Sequence, residues 1–168
     1  MARVSLREYQ RELAERLRSA ETGRAASKLG IQVGEAGWLV DLGDADEVIP
    51  VTPITPVPLA KPWFRGVTNI RGNLFGVVDF GAFLGGAAVA IGDASRLVLI
   101  GERFRTGAAL LVDRSLGLRN PAQLSAAERS ADDAPWVKAR YSDTEGRAWI
   151  ELDLAQLTQN PDFLAVAV

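Results

Sequence analysis

The sequence predicts a mainly β fold behind one N-terminal helix, and three observations carry that expectation. Between Leu29 and Leu157, short runs of Val, Ile, Leu and aromatic residues alternate with Gly, Asp and Asn, which is the punctuation of strands and turns. Four pairs of these runs are spaced as hairpins. A helical stripe of 3.6-residue period stands ahead of them, in residues 5–21. With 168 residues and 48% apolar content, the chain is long enough for one domain, or for two small units that share a core.

The stripe consists of Leu6, Tyr9, Leu13 and Leu17, in steps of 3, 4 and 4. Ser5 and Glu8 form a capping box at its start, and Gly23 offers a stop. An isolated helix of this length is marginal in water, so it is expected to dock on its own domain. Residues 1–28 are therefore read as an amphipathic helical extension, 29–160 as the folded domain and 161–168 as a tail.

Ile31 to Val33 and Trp38 to Leu42 flank Gly34 to Gly37 as a first hairpin. Asp44 to Val51 then runs into Pro50, Pro53, Pro56, Pro58 and Pro62, five prolines in thirteen residues. Proline lacks an N–H, so this segment cannot form a regular ladder and should run extended over the surface. Val51, Ile54, Val57 and Leu59 make it too apolar for a free linker, so it should lie against the fold. Val67 to Arg71 and Leu74 to Val78 follow, separated by Gly72-Asn73, a two-residue turn signal. That turn pairs Arg71 with Leu74 and Ile70 with Phe75, placing Thr68, Ile70, Phe75 and Val77 on one face. Val67, Asn69, Arg71, Leu74 and Val78 share the other, where Arg71 is the charged exception. Arg96 to Gly101 with Gly107 to Asp113, and Trp136 to Tyr141 with Arg147 to Leu152, make two more hairpins, the last with one face toward water. Leu116 to Asp133 reads as loop with at most a helical turn. Residues 77–84 and 150–157 echo one another: each runs from a strand into an Asp, an apolar residue and a short helical step. Asp79 and Asp153 would cap these turns, and the echo suggests two similar sub-barrels.

Composition removes whole classes of chemistry. The chain has no Cys and no His, which excludes disulfides, Cys/His zinc sites, a Cys nucleophile and His-based dyads. A net charge of -2 gives no reason to expect nucleic acid or an anionic membrane as partner. Residues 1–28 carry seven Lys/Arg against four Asp/Glu, so a basic head precedes an acidic body. The longest uncharged run, Phe80 to Gly92, is 13 residues and Gly-rich, short of a membrane span, and the N-terminus has no apolar signal region. A soluble cytoplasmic protein is expected. No phosphate-cradling Gly loop is present. Asp41, Asp44, Asp46 and Glu47 lack the pattern of a calcium loop and read as a solvated loop and strand edge. Asp79 and Asp153 could be imagined as a hydrolase pair, but capping accounts for both. The four Trp read as core, and Trp63-Phe64 as an anchor for the proline arm or a partner contact.

The stretch Pro62-Trp63-Phe64-Arg65-Gly66-Val67-Thr68-Asn69-Ile70-Arg71-Gly72-Asn73-Leu74-Phe75-Gly76-Val77-Val78-Asp79-Phe80 resembles the signature of the CheW family of chemotaxis coupling proteins over nineteen positions. Ile70 and Phe80 replace Leu, and Gly76 stands where that family commonly has Pro. Gly107 to Asp113 and Ile150 to Asp153 add supporting matches. Trp63 to Gly66, Asn73 to Phe75 and the basic N-terminal helix look most like the PilI branch, which serves type IV pilus (twitching) signalling. The resemblance implies a CheW-like domain over 29–160, built as two SH3-like five-stranded β-barrel subdomains sharing a core. It further implies no enzymatic activity, no cofactor, and an adaptor bridging methyl-accepting chemotaxis receptor tips and the regulatory domain of a CheA-type histidine kinase. That kinase domain shares the fold but ends a much longer chain. Receptor tips would dock in the groove between the subdomains, and barrel ends would pair with the kinase. Carried over residue by residue, the partner-binding candidates are Glu47, Trp63, Phe64, Gly66, Asn69, Arg71, Gly72 and Asp79. Arg71, on a largely apolar face, needs a partner, and Glu47 is expected to supply it. The alternatives are a coupling protein of flagellar chemotaxis, or a β-barrel module binding a ligand or nucleic acid.

Overall fold

The computed structural model describes residues 6–168. Helix α1 (Leu6–Ala26) leads into β1 (Lys28–Val33), β2 (Ala36–Asp41) and β3 (Ala45–Pro50). The proline arm follows, then β4 (Phe64–Ile70), β5 (Asn73–Asp79) and α2 (Phe80–Phe83). Next come β6 (Arg96–Ile100), β7 (Ala108–Val112), β8 (Arg114–Arg119) and the short β9 (Ser125–Ala127). β10 (Val137–Ser142), β11 (Ala148–Leu152), α3 (Leu154–Gln159) and α4 (Pro161–Leu164) end the chain. The strands form two sheets, ordered β8-β1-β2-β11-β10-β9 and β3-β6-β7-β5-β4. The mainly β expectation holds, and the first sheet has a sixth rung because β9 pairs with β10.

The two sheets are built on one plan and exchange strands. In the first, β2 lies parallel to β11, Gly37 facing Trp149 through Val40 facing Leu152. In the second, β7 lies parallel to β5, Gly76 facing Ala108 through Asp79 facing Leu111. The strand after β2, β3, crosses to the second sheet and pairs with β6, while the strand after β7, β8, crosses back and pairs with β1. Each sheet thus carries an edge strand delivered by the other's central hairpin, so neither closes alone. The interior reflects this: Leu29, Ile31, Trp38 and Val40 of the first sheet pack with Val98, Ile100, Leu110 and Val112 of the second. Leu154, Leu157 and Phe163 complete that core. A smaller cluster of Ile70, Val77, Leu97, Leu99, Ala109 and Leu111 fills the second sheet's own interior. β7 is buried throughout and β6 beyond its first residue, which is why both read as continuous apolar runs.

The echoed segments occupy equivalent places. Asp79 Oδ1 accepts from the Ala82 N–H and Asp153 Oδ1 from the Gln156 N–H, both at 3.0 Å, capping α2 and α3. The N–H of each Asp donates to the carbonyl of the Trp that opens its hairpin, Asp79 to Trp63 and Asp153 to Trp136, both at 2.8 Å.

The proline arm closes the second barrel. β3 and β4 are opposite edges of that sheet, and the arm carries the β3 edge onto β4. Thr55 and Val67 exchange backbone hydrogen bonds of 2.8 and 2.9 Å, and the Thr68 hydroxyl donates to the Pro53 carbonyl at 2.8 Å. Gly66 makes this approach possible: at φ 131°, a Cβ there would lie 2.0 Å from the Thr55 carbonyl oxygen.

Five expectations are corrected. Helix α1 continues past Gly23 to Ala26, since one Gly costs a helix only about 1 kcal/mol. Among its described side chains it does not dock on the domain: residues 10–20 are all exposed, Leu13 at 48% and Leu17 at 59%. Leu154, Leu157 and Phe163 already complete the shared core, and an i,i+4 ion pair between Arg16 and Glu12 (2.7 Å) supports the exposed helix. Ser5, on which the expected capping box depends, lies outside the described residues. The β4–β5 turn is centred on Arg71-Gly72, with φ 52° and 87°, a type I′ geometry closed by the Gly72 N–H donating to Asn69 Oδ1 at 2.9 Å. Ile70 therefore faces Asn73 and Thr68 faces Phe75, a slip of two in register that leaves every side chain on its expected face. Leu116 to Asp133 holds most of strand β8 and all of β9; β8 is a largely exposed edge strand whose ladder follows from β1, with only Leu116 and Leu118 alternating around Gly117 to announce it. Residues 161–168 are part of the domain, with Phe163 4% exposed and Ala167 bridged to Ala60.

Candidate functional site

Of the eight candidate residues, the structure brings Glu47, Asn69, Arg71 and Gly72 together at one exposed corner of the second sheet. Arg71, 68% exposed at the β4–β5 turn, makes a two-pronged ion pair with Glu47, 40% exposed on β3. Arg71 Nη1 donates to Glu47 Oε1 at 3.1 Å, and Nη2 contacts Oε2. The predicted pairing is found, and it clasps the two edges of the barrel. The Arg71 hydrogen bond holds the Glu47 carboxyl below its ordinary range, and Glu47 raises Arg71 in turn. Water screens so exposed a pair, so it adds little to stability and stays accessible to a partner. Asn69 holds the turn with its oxygen and leaves its amide N–H groups outward, and Leu74 is 66% exposed alongside.

Gly66 and Asp79 are buried, which corrects their assignment as partner contacts. Gly66 serves the arm crossing. Asp79, 0% exposed, accepts from Arg65 Nη1 at 2.8 Å and from the Val89 N–H at 3.0 Å through Oδ2, besides capping α2. Its burial also disposes of the imagined Asp79/Asp153 pair, since each carboxylate caps a separate helix. Trp63 is an anchor, edge-on to Phe83 at 5.2 Å and stacked on Phe163 at 6.5 Å. Phe64 lies over Gly76, where a Cβ would come within 3.0 Å of the ring, and lines an apolar groove of about 390 Å³ with Val78, Phe104, Phe163 and Leu164. This groove runs between the second sheet and the C-terminal helices.

Sequence reasoning missed Arg65, whose side chain meets both Asp79 and a cavity of about 470 Å³ under the proline arm. Its signal was a charge inside an apolar strand at a bulge. It also missed Glu151, buried between Ile150 and Leu152, and its partners Lys28, Lys138 and Tyr141. The acidic loop residues all find partners: Asp41 meets Lys28, Asp44 meets Arg103, and Asp46 accepts from the Glu102 N–H at 2.8 Å. No helix among the described residues is long and apolar enough to cross a membrane.

The chain is similar to protein PilI of Pseudomonas aeruginosa, at 27% identity over 154 residues, covering 88% of this chain and 84% of that protein. It is 26% identical over 133 residues to the chemotaxis protein CheW of Thermotoga maritima, covering 78% and 86%. The crystal structure of the scaffolding protein TtCheW from Thermoanaerobacter tengcongensis matches with a TM-score of 0.63 at 19% identity, over 76% of this chain and 88% of that one, a likeness of fold. A model of the CheW-like domain matches residues 28–162, from the first residue of β1 into α4, and the chain belongs to that family.

Proposed function

We propose that this protein is a non-enzymatic adaptor that couples methyl-accepting chemoreceptors to a CheA-type histidine kinase in type IV pilus signalling. The observation that carries the pilus assignment is the reach of the PilI similarity. Residues 28–168 are about 84% of the chain, so an alignment covering 88% extends into the residues before Lys28, where α1 lies. The CheW similarity, at 78%, supports the flagellar reading as the second choice.

In this reading the receptor tip occupies the Phe64/Phe163 groove, and the exposed corner at Glu47 and Arg71 offers charged and apolar contacts to the assembly. Each contact can be modest, because an array multiplies weak contacts through effective concentration. The adaptor works in the cytoplasm and reaches the membrane through the receptors it binds.

Co-purification from the native cell tests the proposal, and the receptor recovered separates pilus from flagellar coupling. Arg71→Gly isolates the contact, because Gly accepts the φ of 52° more readily than Arg. The variant is expected to melt no lower than wild type while recovery of receptor or kinase falls about tenfold. Unchanged recovery would reduce Arg71 to a turn residue. Absence of both partners, with a positive gel shift on RNA or DNA, would replace the adaptor with a nucleic-acid module.

A further inference from the structure

Residues 10–20 of helix α1 are exposed on every side, Leu13 and Leu17 included. A helix of 21 residues standing alone is only marginally stable in water, so a partner on its apolar stripe would stabilise it. The helical period places Leu6, Tyr9, Leu13, Leu17 and Ala20 on that stripe, in steps of 3, 4, 4 and 3. Arg24, one step further, ends it with a charge. The series reads the same from either end, so a second α1 laid antiparallel meets it layer by layer. Leu13 is opposed to Leu13 at the two-fold axis, Tyr9 to Leu17 and Leu6 to Ala20, and the paired numbers sum to 26 in every layer.

The charges beside the stripe obey the same reversal. Glu12 and Arg16 stand on one flank, and Arg7 and Glu21 on the other. Reversal about Leu13 brings Arg16 of each helix to the level of residue 10 in its partner, next to Glu12, and Glu21 to the level of residue 5, near Arg7. Glu12 and Arg16 already pair within one helix at 2.7 Å, so two such pairs meet as a neutral group of four charges. A parallel pair has no room for the domains: only Ser27 separates α1 from β1, and packed helices lie about 8–10 Å apart. The antiparallel pair sets the two domains at opposite ends of a rod about 31 Å long. A lipid surface fits less well, because α1 intersperses five Arg with four Glu instead of presenting a basic face.

We infer that α1 is a self-association element, through which two copies of this chain pair antiparallel about Leu13. One pair of such helices buries less than the roughly 1,200 Å² of a stable interface, so the dimer is weak, half-formed at roughly 100 µM. It gains strength wherever copies are held at high local concentration. The link leaves the Glu47 and Arg71 corner and the Phe64/Phe163 groove open to other partners, and it does not depend on who those partners are.

The chain has no Cys, so one introduced Cys reports on one position. Full-length Leu6→Cys and Ala20→Cys variants, mixed above the half-association concentration and oxidised, should form the mixed disulfide roughly fivefold over either same-position disulfide. Same-position disulfides in excess overturn the antiparallel pairing. Sedimentation equilibrium of the wild type should show monomer passing to dimer as concentration rises. Leu13→Gln with Leu17→Gln should raise the dissociation constant more than roughly tenfold, with the melting curve of the domain unchanged because both side chains are exposed. Arg16→Glu should weaken the dimer several-fold, and adding Glu12→Arg should restore it, since the exchange keeps every opposite-charge pair. A wild type still monomeric at roughly 1 mM, or a dimer that survives the double Gln variant, overturns the proposal. So does cross-linking of α1 to receptor or kinase in preference to a second copy. The self-association is read on the chain alone, so failure of the adaptor reading leaves its result intact.

Discussion

Asp79→Ala is expected to destabilise the protein by about 3 kcal/mol, near the lower end of what removing one partner of a buried ion pair produces. Three donors converge on this carboxylate: the Ala82 and Val89 N–H groups and Arg65 Nη1. Truncation leaves both backbone groups without their acceptor and leaves Arg65 with only its long hydrogen bond to the Val89 carbonyl, at 3.3 Å. Arg65 is 29% exposed and can turn partly to water, which holds the loss below the full range for a sealed pair. Asp79→Asn retains the shape and an oxygen for the α2 cap, but its amide then meets the Val89 N–H donor to donor, so about 2 kcal/mol should still be lost. Urea unfolding at neutral pH measures both, and a loss below about 1 kcal/mol in Asp79→Ala would show that the carboxylate does not hold the segment around Val89. Partner binding by these variants then has to be compared at equal concentrations of folded protein, because a residue with no exposed surface acts on partners only through the fold.

That distinction marks the limit of what the nineteen-residue motif could tell. Spacing located the β4–β5 hairpin and the capping role of Asp79 and Asp153, and the family resemblance supplied Glu47 as the partner of Arg71 across 24 residues. It could not say which motif residues face outward, because Asp79 and Arg71 are equally polar and only the arm crossing at Gly66 and the segment reaching Val89 bury one of them. The exchange of β3 and β8 between sheets was also hidden, since it pairs residues far apart in the chain and each strand's pattern reflects only its own neighbours. β8 shows the extreme: its sequence, RSLGLR, has Gly and charge at an edge, and its strand state comes from β1. The helix was legible as a helix, but its docking was not, because a stripe of four apolar residues says what could be buried and nothing about whether a face is vacant. Glu151 was passed over for the complementary reason: a carboxylate in an alternating strand reads as solvent-facing, whereas here that face lines a barrel interior.

Glu151→Gln should therefore lower stability at neutral pH by about 3 kcal/mol and flatten the acid limb of the pH profile. Glu151 is 2% exposed, with Lys28 Nζ at 2.7 Å and Lys138 Nζ at 3.3 Å from Oε1, and the Tyr141 hydroxyl donating to Oε2 at 2.8 Å. Lys28 and Lys138 also reach Asp41, so two ammonium groups balance two carboxylates. Burial alone would push Glu151 and Asp41 up, but the hydrogen bonds from Lys28, joined at Glu151 by that from Tyr141, outweigh it and hold both below their ordinary range. A carboxyl lowered in the folded state binds its proton more readily when unfolded. Its stabilisation is complete above the unfolded value and is lost as the pH falls through the folded one. Lys28 and Lys138 are raised and Tyr141 is raised with them, so their contributions are full at neutral pH and fade only in strong alkali. Wild type should accordingly be flat through neutrality and fall on acidification, and Glu151→Gln should start lower and fall less. The amide leaves two ammonium groups facing one carboxylate, and removing one of them as well restores the balance. Lys28→Met with Glu151→Leu should recover most of the loss, because an apolar pair of similar volume often replaces a buried ion pair without penalty. A double variant whose loss is the sum of the two single losses would show that the charges do not act as a unit.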